Sequence, residues 1–524
     1  MKRRSFLRSG MLSGMALGLG DAVHSMPESG SRGFEATDIS TLQARMKAGK
    51  LSSVKLVKDC LDRIGSIDRS GPKINAVIEL NPDAVDIAAS LDAERKAGRV
   101  RGPLHGIPVL IKDNIDTADR MQTTAGSLAL AGNIASTDAF IVQRLRAAGA
   151  VIIGKTNLSE WANFRSNRST SGWSSRGGQT KNPHVLARNP SGSSSGSGAA
   201  VAAGLCPVAV GTETDGSIIS PSSHCGIVGL KPTVGLLSRS GIIPISHTQD
   251  TAGPMTRSVR DAAILLGAMT GIDTQDPATR HSEGRIATDY TTFLKTDALK
   301  GRRIGYEKRH LSGSHLVVPH YEKALANLRA LGAELVEVEL LKAMATHGTG
   351  ELNVLSYEFK AGVDTYLAKA NAKVKSLAEV IRYNTTHADT VMPWFRQELL
   401  ESCQAKGGLD SAEYREALQK STGAAVTIET MMRTQRLDAI VGVSSGPAGF
   451  TDPINGGYGT GFSFSQPAAM AGFPHVTVPM GFVSDLPVGL SFVGLAWQEG
   501  PLLGMAHAYE QVTNHIRMPR FLKD

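Results

Sequence analysis

Apolar residues recur in two alternating rhythms along this chain. Between residues 51 and 64 they fall at helical spacing, Val54, Val57, Leu61 and Ile64, with Ser52 or Ser53 placed to cap the start. Residues 107–112, "IPVLIK", form an unbroken β-branched-rich run, which predicts a buried strand carrying a lysine at its far end. The stretch that follows predicts a helix over 139–148, a turn at Gly149 and a strand over 151–153. A small-residue helix over 198–204 and a strand over 208–211 come next, then a strand at 302–306, a helix over 320–333 and the strand "ELVEVEL". Near the C-terminus "AIVGVSS", "HVTVPMG" and "GLSFVGLAW" supply further strands. Residues 340–436 are mainly helical and read as a cap or insertion. Strands alternating with helices predict the α/β class: a large, mixed, mainly parallel sheet covered by helices on both faces.

Composition changes this picture little. Over 524 residues, 41% hydrophobic and 20% charged content lie near globular norms, and no low-complexity linker divides the chain. The reading is a single domain over 26–524, preceded by a segment of another kind. Residues 1–25 open with Arg3-Arg4, Ser5, Phe6 and Leu7, then a short apolar stretch over 11–20 that is far below the ~20 residues needed to span a bilayer. That architecture predicts a twin-arginine signal peptide, hence engagement with the twin-arginine export machinery, a periplasmic protein and no stable membrane insertion. Cleavage after residue 25 would remove four basic residues and Asp21, taking the net charge from +8 to +5. So modest a surplus, spread along the chain, is no nucleic-acid footprint. Four separated cysteines form no C-x-x-C pair and read as small core residues, although an oxidising compartment would allow one pair to bridge. No compact His/Asp/Glu cluster or H-E-x-x-H predicts a metal.

Several motifs mislead. "GAVIIGKT", residues 149–156, matches the phosphate-loop expression, but its middle is strand material following a helix, where a phosphate cradle needs flexible backbone after a strand. "SSVK" fits S-x-x-K without the K-T-G and S-D-N partners of that site. Residues 192–196 fit G-x-S-x-G and nominate Ser194, yet the preceding "HVLARNP" is too polar and proline-broken for the strand such an elbow requires.

Three segments remain, in order: "GIPVLIKDN", "SGSSSGSGAAVAAG" and "VGTETDGSI". With the closing "AGFPHVTVPMGF" and "LPVGLSFVG", they make the chain from about residue 35 onward resemble the amidase signature family of serine hydrolases, its bacterial peptide amidases most of all. The resemblance implies the amidase-signature fold, no cofactor, and a Ser-Ser-Lys triad. Lys112 matches its lysine and Ser217 its nucleophile. Ser193 matches the bridging serine after a cis peptide, with Gly192 before it and Ser194 as the slip-by-one alternative.

The residue types suit that chemistry independently. A serine hydroxyl is a poor nucleophile without an adjacent base, and a lysine at its usual pKa of ~10.4 is protonated at neutral pH. Burial at the end of an apolar strand disfavours the charged form, and a fall of about three units corresponds to ~4 kcal/mol. Ser193 could then pass a proton between Ser217 and Lys112 in both directions. Gly216 allows a turn in which the N–H groups of Thr214, Asp215, Gly216 and Ser217 converge on a developing oxyanion. Glu213 and Asp113 read as structural acids.

Two positions depart from the family pattern: Ile219 stands where an Arg is usual, and Asp215 where a Gly is commoner. Both resemble the peptide-amidase branch. The resemblance therefore implies hydrolysis of a small-molecule or peptide amide, with peptide C-terminal amides favoured. The aromatic, Gly-rich residues 455–464 are either part of the acyl pocket or a surface loop. The alternatives are a component of an amidotransferase that works on aminoacyl-tRNA, and a binding protein that kept the scaffold but not the turnover.

Overall fold

A computed structural model describes residues 34–524 apart from Tyr458, so the residues assigned to the export signal lie outside the described part. Thirteen strands run along the described chain: β1 (Val77–Leu80), β2 (Pro108–Lys112), β3 (Val151–Thr156), β4 (Trp173–Ser174), β5 (Gly178–Gln179), β6 (Val208–Glu213), β7 (Val228–Lys231), β8 (Thr251–Thr256), β9 (Arg303–Glu307), β10 (Glu334–Val338), β11 (Ala439–Val443), β12 (His475–Val483) and β13 (Leu486–Val493). Eleven form one sheet in the order β1-β3-β2-β6-β8-β7-β12-β13-β11-β9-β10, and β4 and β5 form a separate ribbon.

Parallel pairing occupies two flanks of the sheet. There β2 lies between β3 and β6, and β9 lies between β10 and β11. The middle, from β6 through β8, β7, β12 and β13 to β11, is antiparallel throughout. One cause is visible: β12 and β13 are joined by a two-residue hairpin, which enforces antiparallel pairing; β7 and β8, also in this region, are strands that the hydrophobic pattern does not announce. Helices cover the sheet on both faces, and every residue of β2, β3, β6, β7, β8 and β11 is buried.

Local signals act as their chemistry dictates. The first long helix is Ser53–Arg63, and the Ser52 side chain accepts the Lys55 N–H at its start. The helix Phe140–Ala147 and β3 follow as the apolar spacing predicts. Residues 151–156 of the phosphate-loop look-alike are all strand, and Lys155 is fully buried within it. The small-residue helix starts earlier than the pattern suggests, at Ser195, and ends at Ala202. Cys60, Cys206, Cys225 and Cys403 are all buried and free, so no pair bridges.

The helices Gly348–Lys369, Leu377–Thr386, Glu398–Gln404 and Ala412–Thr434 fall in the segment after residue 340. Leu355, Phe359, Val363 and Leu367 of the first bury against Trp161, Phe164, Ile243 and Ile245. This apolar seam seats the helical segment over the loops that follow β3 and precede β8. Those loops enclose the cavity described next.

Candidate active site

Lys112 is the last residue of β2 and is completely buried. Its Nζ lies 2.7 Å from Ser193 Oγ, 2.9 Å from Thr212 Oγ1 and 3.2 Å from the Thr212 carbonyl oxygen. No carboxylate lies within ion-pair distance among the described residues. Burial therefore dominates and pushes the amine down to about 7, with Asp250 and Glu213 acting weakly against the shift. A buried lysine with that pKa is substantially neutral at neutral pH. The carbonyl of Thr212 can only accept, so in the neutral amine one hydrogen goes there, and the lone pair can accept from a hydroxyl.

Strand neighbours explain why three separate segments meet. β2 pairs in parallel with β6, bringing the ends of "IPVLIK" and "VAVGTE" together. Asn114, just past β2, donates from Nδ2 to Thr212 Oγ1 at 3.1 Å and fixes that hydroxyl beside Lys112.

The two serines that the sequence leaves one residue apart point to different partners. Ser193 follows a cis peptide after Gly192, and its hydroxyl meets Lys112. The Ser194 hydroxyl instead donates to the Thr212 carbonyl at 3.0 Å and accepts the Thr212 N–H at 3.2 Å. The Ser194 N–H donates to the Ser217 carbonyl at 3.1 Å, so the loop carrying Ser193 is tied directly to the turn carrying Ser217. Gly192 has a packing reason as well: a Cβ there would sit 2.3 Å from Ser159 Oγ and 2.9 Å from Ser195 Oγ.

Ser217 stands in the turn between β6 and the helix Ile219–Cys225, 8% exposed, and its hydroxyl has no hydrogen-bond partner among the described residues. Gly216 adopts φ +74°, the left-handed conformation that favours glycine. Glu213 braces this turn: its buried Oε2 accepts the N–H groups of Ile218 at 2.6 Å and Ile219 at 2.9 Å, and the carboxylate also faces the Gly216 N–H. The N–H groups of Asp215 and Ser217 meet no acceptor among the described residues. Burial raises the Glu213 carboxyl above the usual range while Lys231 pulls it back, and Lys231, also buried, falls to about 8. Asp215 is raised by burial and by Glu351 from the helix Gly348–Lys369.

Asp113 braces backbone rather than the lysine. Its Oδ2 accepts the Thr124 hydroxyl and the Gly126 N–H, and Arg176 lies 3.5 Å away. Thr212, which holds the amine, and Asn114, which holds Thr212, escape sequence reasoning; a polar residue near the end of the apolar strand before "TDGS" is the signal that could have found the first. Asp250 escapes it too, although it accepts the Thr214 hydroxyl at 2.5 Å and the N–H groups of Ile245 and Ser246 at 2.8 Å.

A cavity of about 600 Å³ opens beside Thr212, Thr214 and Asn114. Its walls come from residues 133–137, 239–247 and 361–371, and none from the described residues of 455–464. That Gly-rich segment lines other ground: Thr460 receives the Gly446 N–H, and Gly457 donates to the Ser169 carbonyl. Among the described residues no group of three potential metal ligands occurs, and no helix is long and apolar enough to cross a membrane.

The profile of the Amidase family matches residues 55–503. A probable amidase of Arabidopsis thaliana is 41% identical over 498 residues, covering 93% of this chain and 92% of that protein. One component of the glutamyl-tRNA(Gln) amidotransferase of Symbiobacterium thermophilum is 37% identical over 486 residues, 89% of this chain and 95% of that one. The native peptide amidase from Stenotrophomonas maltophilia, a solved structure, superposes with a TM-score of 0.88 at 50% identity, covering 93% of this chain and 99% of that chain.

Proposed function

The chain belongs to the Amidase family and is an amide-hydrolysing enzyme, and from that premise we propose that it converts the C-terminal carboxamide of peptides to a carboxylate and ammonia. The observation that carries the reading is the fully buried Lys112 amine, 2.7 Å from Ser193 Oγ, in a loop bonded to the backbone of Ser217.

In this mechanism the neutral Lys112 amine takes the Ser193 hydroxyl proton while Ser193 takes that of Ser217. Ser217 Oγ attacks the carboxamide carbon, and the C=O electrons move to an oxyanion facing the N–H groups of Asp215 and Ser217. The proton returns through Ser193 to the amide nitrogen, the C–N bond breaks and ammonia leaves. Water repeats the relay on the acyl-enzyme, releasing the carboxylate and restoring Ser217. Glu213 keeps the turn in shape by occupying the neighbouring N–H groups.

The substrate class rests on the 50% identity to a peptide amidase. The 37% identity to an amidotransferase component supports a second reading, in which the released ammonia serves transfer to aminoacyl-tRNA with a partner. Ammonia release from a panel of peptide amides, fatty amides and short aliphatic amides by the isolated chain separates the two. Turnover of peptide amides without any partner is the expected result, and no turnover of any of them would defeat the first reading.

We also propose that residues 1–25 direct twin-arginine export to the periplasm, on the strength of Arg3-Arg4 and the short apolar stretch behind them. Replacing both arginines by lysine should retain the protein in the cytoplasm, and unchanged export would refute the route.

A further inference from the structure

Asp116 is a buried acid that the hydrolytic relay does not use. It is 8% exposed, lines the cavity, and has no Lys, Arg or His nitrogen within 4.0 Å among the described residues. Tyr366 donates its hydroxyl to Asp116 Oδ1 at 2.8 Å, and Asn133 donates in turn to Tyr366 at 3.2 Å, so the carboxyl group is held in place from the helical segment.

The other charges around the cavity are satisfied. Arg239 and Asp276 bond to each other at 2.6 and 2.8 Å. Asp250 has one oxygen on Thr214 and the other on two N–H groups. His247 lies 3.3 Å from Glu358, and Lys369 is exposed to solvent. What remains is one carboxyl group with no direct ion-pair partner, Lys155 acting on it only from beyond ion-pair distance, and a desolvated charge so weakly paired costs free energy unless a ligand adds a closer contact. Burial raises its pKa to about 6, with the Tyr366 hydrogen bond and Lys155 opposing, so it is largely ionised at neutral pH.

Its place along the chain sets a length. Ile115 N–H bonds to the Lys112 carbonyl, closing a turn, and such turns keep their end Cα atoms within about 7 Å. With one further residue of 3.8 Å, the Cα of Asp116 lies within about 11 Å of the Cα of Lys112. An extended peptide advances ~3.3–3.6 Å per residue, so a span of that order corresponds to two or three residues. A peptide amide has an uncharged C-terminus, and its backbone charge is the α-ammonium, whose pKa is about 8.

We propose that Asp116 binds the α-ammonium group of di- and tripeptide amides and so selects short peptides with a free amino terminus. The inference rests on the peptide-amide reading and narrows it.

The test compares a dipeptide amide bearing a free amine with its N-acetylated form, reading kcat and KM from ammonia release. Wild-type enzyme should show a KM about ten-fold lower for the free amine, the size expected of a desolvated charge contact. In Asp116→Asn, which keeps the shape and the Tyr366 contact, the ratio of the two KM values should collapse towards one while kcat for the free amine holds. Equal KM values for the two substrates in the wild type would overturn the inference without any variant, and so would a ratio preserved in Asp116→Asn. Release of ammonia from neither substrate would instead sink the peptide-amide reading, and this inference with it.

Discussion

Two lysines, Lys112 at the end of β2 and Lys155 one residue before the end of the neighbouring parallel β3, are both fully buried and both have their charged form disfavoured by burial. Their partners differ. Lys155 donates to the Ile115 carbonyl and the Thr123 hydroxyl, and Asp113 and Asp116 are the leading charges that favour its ammonium form. Lys112 faces a serine hydroxyl, and the acids that act on it are the more remote Asp250 and Glu213. Burial alone therefore does not make a base. Lys155 holds a loop through a field of acids, whereas Lys112 is left with a hydroxyl that can give it a proton.

That contrast can be broken most sharply by removing each amine in turn. Lys112→Met should cost about 10²–10⁴-fold in kcat/KM, the range for loss of a general base, with thermal unfolding little changed. Lys155→Met should do the reverse, costing about 1–3 kcal/mol of stability by leaving the buried Ile115 carbonyl and Thr123 hydroxyl without their donor, while kcat of the folded fraction survives. Calorimetry and steady-state kinetics on the two proteins decide it, and equal kinetic losses would dissolve the distinction.

The adjacent serines extend the comparison at smaller scale. Ser193→Ala should lower kcat by about 10²–10⁴-fold. Ser194→Ala loses only a hydroxyl bonded to the Thr212 backbone, worth about 1 kcal/mol of stability. A larger kinetic effect at Ser194 would reverse the assignment of the relay.

The pH profile sharpens the account further. The working form of Lys112 is the neutral amine, so kcat/KM should fall as pH drops through about 7, approaching ten-fold per pH unit below it. Activity that stays level down to pH 5 would mean that Lys112 is not the titrating base.

Much of this was legible in the chain. β2, β3 and the helix between them follow from an unbroken apolar run, a helical repeat and a second run, because strands buried on both faces read as near-continuous apolar stretches, with their polar residues confined to the far ends. β7 and β8, "VGLK" and "TAGPMT", were not legible. Their glycines are there for close approach: a Cβ on Gly253 would sit 2.1 Å from the Leu230 carbonyl oxygen, and one on Gly229 2.3 Å from Ser222 Oγ. Glycine and proline at such positions erase the hydrophobic signal of a strand. The antiparallel middle of the sheet went unseen with them. At the site, Lys112, Ser193 and Ser217 stood out through motif order, but the choice between Ser193 and Ser194 depends on which way each hydroxyl points. Thr212, Asn114 and Asp250 are single polar residues whose partners are brought to them by folding.

The central claim is that a neutral Lys112 activates Ser217 through Ser193, and the rate at which a fluorophosphonate labels Ser217 across the pH range tests it without reference to any substrate. The account predicts that labelling accelerates through an ionisation near 7, slows by orders of magnitude in Lys112→Met and is absent in Ser217→Ala. Labelling that persists in Ser217→Ala, or that proceeds at the wild-type rate without the Lys112 amine, would contradict it.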